Sequence, residues 1–230
     1  MIDRMLALFE DFFLIIIDYY FDFQSPYSYL SWKLIERIKF NQNTSFNPIP
    51  VAMGPIIKSH ETKGPAEIGT KRDYLMKDCL RKAFLNDFPM QIPFKLPFNS
   101  LDLLRMSLKE ISGDQQLKLI TLFFSAVWEQ KLDVENQDVL KSLLMKENID
   151  FENLNAQTGS KLARSQLKIN IQSAIDLDLF GVPTFIVQKD GKQELFWGAD
   201  SIPSLLKFIE GKDQLDLNKY QQYLELFQAR

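Results

Sequence analysis

Residues 14–23 (LIIIDYYFDF) begin as an unbroken apolar run and then alternate. A run so rich in β-formers predicts a strand buried on both faces in the middle of a sheet. Ser25-Pro26 follows directly. Serine at an N-cap with proline in the first helical position predicts a helix start. Leu30, Leu34 and Ile38 then recur every four residues, carrying one apolar face to about Phe40. Residues 45–51 (SFNPIPV) read as a second, shorter strand, which Pro48 and Pro50 push towards a sheet edge.

From about Gly54 to Leu179 the pattern is helical. Residues 71–85 form one candidate helix. Asn99-Ser100 caps another with Leu101, Leu104 and Leu108 on one side, and residues 115–130 place Ile120, Phe123, Phe124, Val127 and Trp128 at helical spacing. Further helices are predicted over 134–148, 150–163 and 165–178. Pro89, Pro93 and Pro97 make 88–98 irregular. Strand signals return at 184–188 and 194–197, which flank Lys189-Asp190-Gly191-Lys192, a hairpin turn signal. Residues 201–209 read as a closing helix. Over 213–230, Leu217, Tyr220, Leu224 and Phe227 share one side of a helix, a stripe expected to pack on its own domain.

The order is therefore β-α-β, a helical block, then β-β-α. This matches an α/β thioredoxin-like topology with a large all-helical insertion. Residues 14–53 and 180–210 make the discontinuous sheet domain, 54–179 the insertion, and 211–230 a C-terminal helical tail.

Composition narrows the chemistry. The 230 residues are 46% hydrophobic and 25% charged, an ordinary globular mixture. The formal net charge is −3, with no long basic run and no glycine-rich phosphate loop, so no nucleic-acid partner is expected. The apolar stretch 12–17 is too short to cross a bilayer. Residues 1–11 carry Asp3, Glu10 and Asp11 against Arg4 alone, unlike a signal peptide. A cytoplasmic protein with no membrane partner is the expectation. The single cysteine, Cys79, excludes an internal disulfide and any CxxC pair, and reads as an ordinary helix residue. The single histidine, His60, makes a histidine-rich metal site or a Ser-His-Asp triad hard to build, so no metal is expected. Between Ser59 and Glu61 it reads as a solvated loop residue. Trp128 and Trp197 read as core or pocket wall.

Two short segments carry the remaining signal: FDFQSPYSYL at 21–30 and FGVPTF at 180–185. The first resembles the opening strand and helix of 2-hydroxychromene-2-carboxylate isomerases and kappa-class glutathione transferases, within the DsbA-like thioredoxin superfamily. The second resembles their cis-proline loop, and FWGADSIPSLLKFI their last strand and helix. TKGPAEIGTKRDYL and PFNSLDLLRMSL match weaker family segments, so the resemblance covers roughly 14–210.

The resemblance implies a glutathione-binding enzyme. Reactive groups of thioredoxin-like enzymes sit at the N-terminus of the first helix, where unpaired N–H groups and the dipole favour negative charge. Redox members place CxxC there; this chain has Ser25-Pro26-Tyr27-Ser28. A serine hydroxyl cannot exchange disulfides but can donate a hydrogen bond to a ligand thiolate, which gives Ser25 the catalytic role. Pro26 and Tyr27 count with the ligand-binding residues, while for Tyr27 and Tyr29 bordering the thiol and packing in the core are equally good readings. The Val182 position, before a cis Pro183, pairs its backbone with the cysteinyl part of glutathione. Asp200 matches the family acid that meets the γ-glutamyl ammonium, beside Ala199 where many relatives have serine. Thr62 stands where the family often has Asn, and Lys71 reads as a surface lysine within reach of the glycyl carboxylate. Asn99 matches a position lining the second-substrate pocket and is equally good as a helix cap.

The expected function is isomerisation of a small, electrophilic conjugated carbonyl compound by reversible addition of glutathione. A kappa-class-like transferase shares the same half-site and is the first alternative. A DsbA-type thiol-disulfide oxidoreductase is disfavoured by Ser25 and Ser28, and a non-catalytic thiol-binding protein is the last alternative. Such relatives are commonly dimers, which makes a homodimer a candidate assembly.

Overall fold

A computed structural model describes residues 14–228. The charge argument over 1–11 and the start of the 12–17 stretch lie outside the described residues.

The sheet has four strands: β1 (Ile15–Phe21), β2 (Thr44–Pro50), β3 (Thr184–Lys189) and β4 (Lys192–Trp197), in the order β2-β1-β3-β4. β1 pairs parallel with β2 and antiparallel with β3, and β3 pairs antiparallel with β4. The apolar run of β1 is thus interior, as its sequence predicts. Its side chains alternate between two cores. Ile17, Tyr19 and Phe21 join the larger one, while Tyr20 joins Val51, Ile56, Ala174 and Ile186 on the opposite face.

β2 is an edge strand, consistent with its prolines. Its outer carbonyls are not left open: Gln116 Nε2 donates to Pro48 O at 3.1 Å, and Asn170 Nδ2 donates to Pro50 O at 3.1 Å. Two prolines and two amide caps blunt this edge against further strand pairing. At the other end of the sheet, Asp190 (φ 52°) and Gly191 (φ 72°) both have positive φ, as a two-residue type I′ hairpin requires.

Eleven helices are described. α1 (Pro26–Ile35) follows β1. Between β2 and β3 lie α2 (Met53–Ser59), α3 (Gly69–Leu85), α4 (Leu101–Met106), α5 (Lys109–Ser112), α6 (Gln116–Trp128), α7 (Gln137–Lys146), α8 (Phe151–Thr158) and α9 (Lys161–Asp176). α10 (Ile202–Ile209) and α11 (Leu217–Gln228) close the chain. The segment 88–98 is irregular, as its prolines demand.

Several helix limits differ from the sequence expectation, among them α4, which ends at Met106 and leaves Leu108 outside it. α1 stops at Ile35 rather than near Phe40. Ile38 and Phe40 still pack against the core from a turn and loop, which explains why the apolar spacing outlasts the helix. The boundary between α8 and α9 falls at Gly159-Ser160, because Ser160 Oγ accepts from Ala163 N–H at 3.1 Å and caps α9. α7 starts at Gln137, where Asn136 caps it by accepting from Asp138 N–H.

Aromatic packing holds the helical block on the sheet. Phe124 of α6 lies 4.8 Å from Phe23 and 5.7 Å from Phe21 between ring centres, and Trp128 stacks on Tyr29 at 6.2 Å. The polar tips are satisfied: Trp128 Nε1 donates to Phe23 O at 2.9 Å and Trp32 Nε1 to Thr121 Oγ1 at 3.0 Å. Trp128 is fully buried, a core residue. No described helix is long and apolar enough to cross a membrane.

Candidate active site

β1 delivers the chain to the N-terminus of α1, and the loop before β3 meets it there. Ser25 is the N-cap of α1 with extended backbone (φ −86°, ψ 115°). Its Oγ accepts from Ser28 N–H at 3.1 Å and donates to Val182 O at 3.3 Å. The Val182–Pro183 peptide is cis. Pro183 O accepts from Gly198 N–H at 2.9 Å, which ties the proline loop to the turn holding Ala199 and Asp200. That turn packs on α1. Residues from positions 25 and 182–200 are therefore assembled at one helix end.

The first turn of α1 shows what this end offers. Pro26 has no N–H, and the Ser28 N–H is taken by Ser25 Oγ. The Tyr27 N–H has no partner among the described residues and points with the positive end of the helix dipole. One free N–H thus faces an incoming anion, beside a serine hydroxyl whose proton is held by Val182 O.

Gly198 has φ 87°, and a β-carbon there would lie 2.7 Å from Asp200 Oδ1. The positive φ is what calls for glycine at this turn. Asp200 is exposed and Ala199 buried. On the same side, Tyr27 OH donates to Asp78 Oδ2 at 2.7 Å, Lys82 Nζ pairs with Asp78 at 2.8 Å, and Lys82 lies 4.9 Å over the Tyr27 ring. Burial opposes the charge on Lys82, but Asp78 and then Asp200 outweigh it and raise its pKa. Tyr27 is held above its ordinary range by burial and by its bond to Asp78.

The other expected residues are placed less centrally. Thr62 is exposed in the loop after α2, and no hydrogen bond ties it to the Ser25 group among the described residues. Lys71 is exposed near the start of α3. Asn99 is exposed and serves as a cap: its Oδ1 accepts from Leu101 N–H at 3.1 Å. Its neighbour Ser100 reaches the site, because Gln24 Nε2 donates to Ser100 Oγ at 3.3 Å. Trp197 is half-exposed and packs on Phe180 at 5.2 Å. Cys79 is buried in α3, and burial, then Asp78, pushes its thiol up to about 12. His60 corrects its expectation. Though exposed, it is not merely solvated, because its Nε2 donates to Leu179 O at 3.0 Å and braces the approach to the proline loop.

Asp22 is the residue that sequence reading passed over. It is 1% exposed, and its carboxylate accepts from Gln24 N–H and Met53 N–H, both at 3.0 Å. Its backbone carbonyl accepts from Ser25 N–H at 3.0 Å. Burial pushes its carboxyl above the ordinary range, against the opposing pull of those N–H groups and the Ser100 hydroxyl. The signal was an acid between two phenylalanines in FDF, the second after Asp18 in a stretch that is otherwise apolar.

Two concavities of the described surface lie away from the Ser25 group. One is between β2 and Lys109, Asp114 and Asn170, and another runs along Pro203, Lys207 and Gln214. Both adjoin a helix start, at Gln116 and at Pro203, and neither is lined by Ser25, Val182 or Asp200.

The model of the DsbA-like thioredoxin domain matches residues 16–210. The chain belongs to this family. It is 29% identical over 195 residues to a 2-hydroxychromene-2-carboxylate isomerase of Pseudomonas putida, covering 81% of this chain and 90% of that protein. It is 23% identical over 211 residues to glutathione S-transferase kappa 1 of Rattus norvegicus, covering 86% and 91%. Among solved structures, a 2-hydroxychromene-2-carboxylate isomerase superposes with a TM-score of 0.74 at 23% identity, over 92% of this chain and 98% of that one, a likeness of fold. Within the DsbA-like frame, the absence of sulfur at Ser25 and Ser28 separates this chain from dithiol redox chemistry.

Proposed function

We propose that this chain is a glutathione-dependent enzyme acting on a small electrophilic molecule, with isomerisation of a conjugated carbonyl compound as its reaction. The observation that carries the reading is the Ser25 hydroxyl, fixed at the N-terminus of α1 between Ser28 N–H and Val182 O, beside the free Tyr27 N–H. The names of the two relatives support the ligand and both chemistries.

The donor set fits a thiolate. Ser25 O–H can turn from Val182 O to a sulfur anion, and Tyr27 N–H adds a second donor along the dipole. Val182 offers its backbone to the peptide part of the ligand, and the exposed Asp200 carboxylate suits its ammonium. Ala199 supplies only its backbone N–H, and Thr62 a hydroxyl of short reach. Pro26 keeps the helix start rigid and removes a competing N–H. When bound, glutathione would supply a soft nucleophile for reversible addition to the conjugated system, with its sulfur held by the Ser25 hydroxyl and the Tyr27 N–H. Asn99 and Ser100, beyond Gln24, are proposed to face the second substrate. A reduced thiol ligand fits a cytoplasmic setting.

A conjugated carbonyl compound of fixed double-bond geometry, incubated with the protein and glutathione, tests the reaction. The expected result is isomer conversion with the total thiol unchanged. Thiol consumed in step with product shifts the assignment to the transferase reading. Neither change, across several such electrophiles, removes the enzymatic reading.

A further inference from the structure

Leu217, Tyr220 and Phe227 of α11 stay exposed, contrary to the sequence expectation that their stripe packs on its own domain. The charge that the proposed function has not yet used lies closer to Ser25, on the flank of α3.

Asp78 and Lys82 stand one turn apart on α3 and form an ion pair, with Lys82 Nζ 2.8 Å from Asp78 Oδ2. The same carboxylate oxygen accepts from Tyr27 OH at 2.7 Å, which fastens α3 to the first turn of α1. Lys82 is thereby held 4.9 Å from the centre of the Tyr27 ring. Its side chain remains 34% exposed. An ammonium has three donors, and Asp78 is the one carboxylate within ion-pair distance of Lys82 among the described residues.

This setting favours an anion over a further cation. Lys82 lies against the side chain of the second residue of α1, at the positive end of the helix dipole. The Tyr27 N–H there has no partner among the described residues. Across the same helix end packs the turn that holds the exposed Asp200. After Asp78, Asp200 is the acid that most favours the charge on Lys82. An exposed acid and a cation with spare donors thus share one helix end. An α-amino acid group carries its ammonium and its carboxylate on one carbon, so it needs a partner of each sign side by side.

We infer that Lys82 binds the α-carboxylate of the γ-glutamyl residue, next to the ammonium held by Asp200, and so selects thiols that carry a free amino acid end. The inference rests on the glutathione reading and adds to it a residue outside every segment that carries the family resemblance. Asp78 is the positioning residue, because it holds Lys82 towards Tyr27.

The test compares two ligands by calorimetric titration: glutathione, and γ-aminobutyryl-cysteinyl-glycine, which lacks only the α-carboxylate. The native chain is expected to bind glutathione about tenfold more tightly, the scale of one part-exposed hydrogen bond between charged groups. Lys82→Met should erase that preference, weakening glutathione about tenfold and leaving the analogue unchanged. The pKa of the bound thiol should not move in Lys82→Met, since Ser25 and the Tyr27 N–H hold the sulfur. A Lys82→Met chain that weakens both ligands alike, or that raises the thiol pKa, places Lys82 in the fold or beside the sulfur and overturns the inference. A native chain that binds both ligands equally overturns it while leaving the glutathione reading intact. A native chain that binds neither contradicts the glutathione reading itself, and the inference falls with it.

Discussion

Replacing Ser25 with alanine is expected to raise the pKa of the bound glutathione thiol by about one to two units. A free thiol titrates near 8.5, so a mostly ionised thiol at neutral pH needs a depression of about two units, or roughly 2.7 kcal/mol. The Ser25 hydroxyl is one charge-assisted donor, worth about 1.5–3 kcal/mol, and the helix terminus supplies the remainder. Ser25→Ala should therefore lower kcat roughly 10- to 100-fold at neutral pH, with activity recovering as the pH rises and the thiolate re-forms. The same substitution removes the N-cap bond to Ser28 N–H, at about 1 kcal/mol of stability, so the fold persists. Ser28→Ala is the matched control. Ser28 Oγ is buried without a partner, so its loss should leave the thiol pKa unchanged. An unchanged thiol pKa in Ser25→Ala would take Ser25 out of the mechanism.

Asp22→Ala is expected to be the most destabilising of these changes, by about 3 kcal/mol in chemical denaturation. Two buried N–H groups, of Gln24 and Met53, lose their acceptor, and each orphaned donor costs about 1–3 kcal/mol. The damage reaches three segments at once, since the carboxylate joins the end of β1 to the start of α2 and to Ser100 before α4. The pH dependence follows from the direction of the shift. A carboxyl whose folded pKa is raised binds its proton more tightly when folded. Its contribution to stability is greatest below the unfolded value near 3.9 and is lost as pH rises through the folded value. Asp22→Asn cannot titrate, so the difference in stability between native protein and this variant should change over that window. A constant difference would place the raised titration elsewhere.

Much of the fold could be read from local pattern. β1, the Ser25-Pro26 helix start, the edge position of β2 and the Asp190-Gly191 turn each follow from residues adjacent in the chain. Helix ends were less legible. Leu34 and Ile38 keep a helical spacing across a real stop, because a turn can bury the same face. Ser160 outcompetes the later serine at 165 as a cap, and only the fold decides between them. The site divides in the same way. Ser25 and the Val182-Pro183 loop were visible from short motifs, and the structure brings them to 3.3 Å across 157 positions of sequence. The Tyr27, Asp78 and Lys82 group needed α3 laid beside α1, a contact no periodicity reports. Asp22 was visible as an acid in an apolar run, but its two N–H partners come from both sides of β2. The fate of the α11 stripe could not be read from spacing, because packed and unpacked amphipathic helices have the same pattern.

Calorimetric titration with reduced glutathione, with ultraviolet detection of thiolate in the complex, tests the central claim most directly. The account predicts saturable binding and a thiolate band at neutral pH that Ser25→Ala weakens. No binding at millimolar glutathione, or binding with the thiol still protonated at neutral pH, contradicts it.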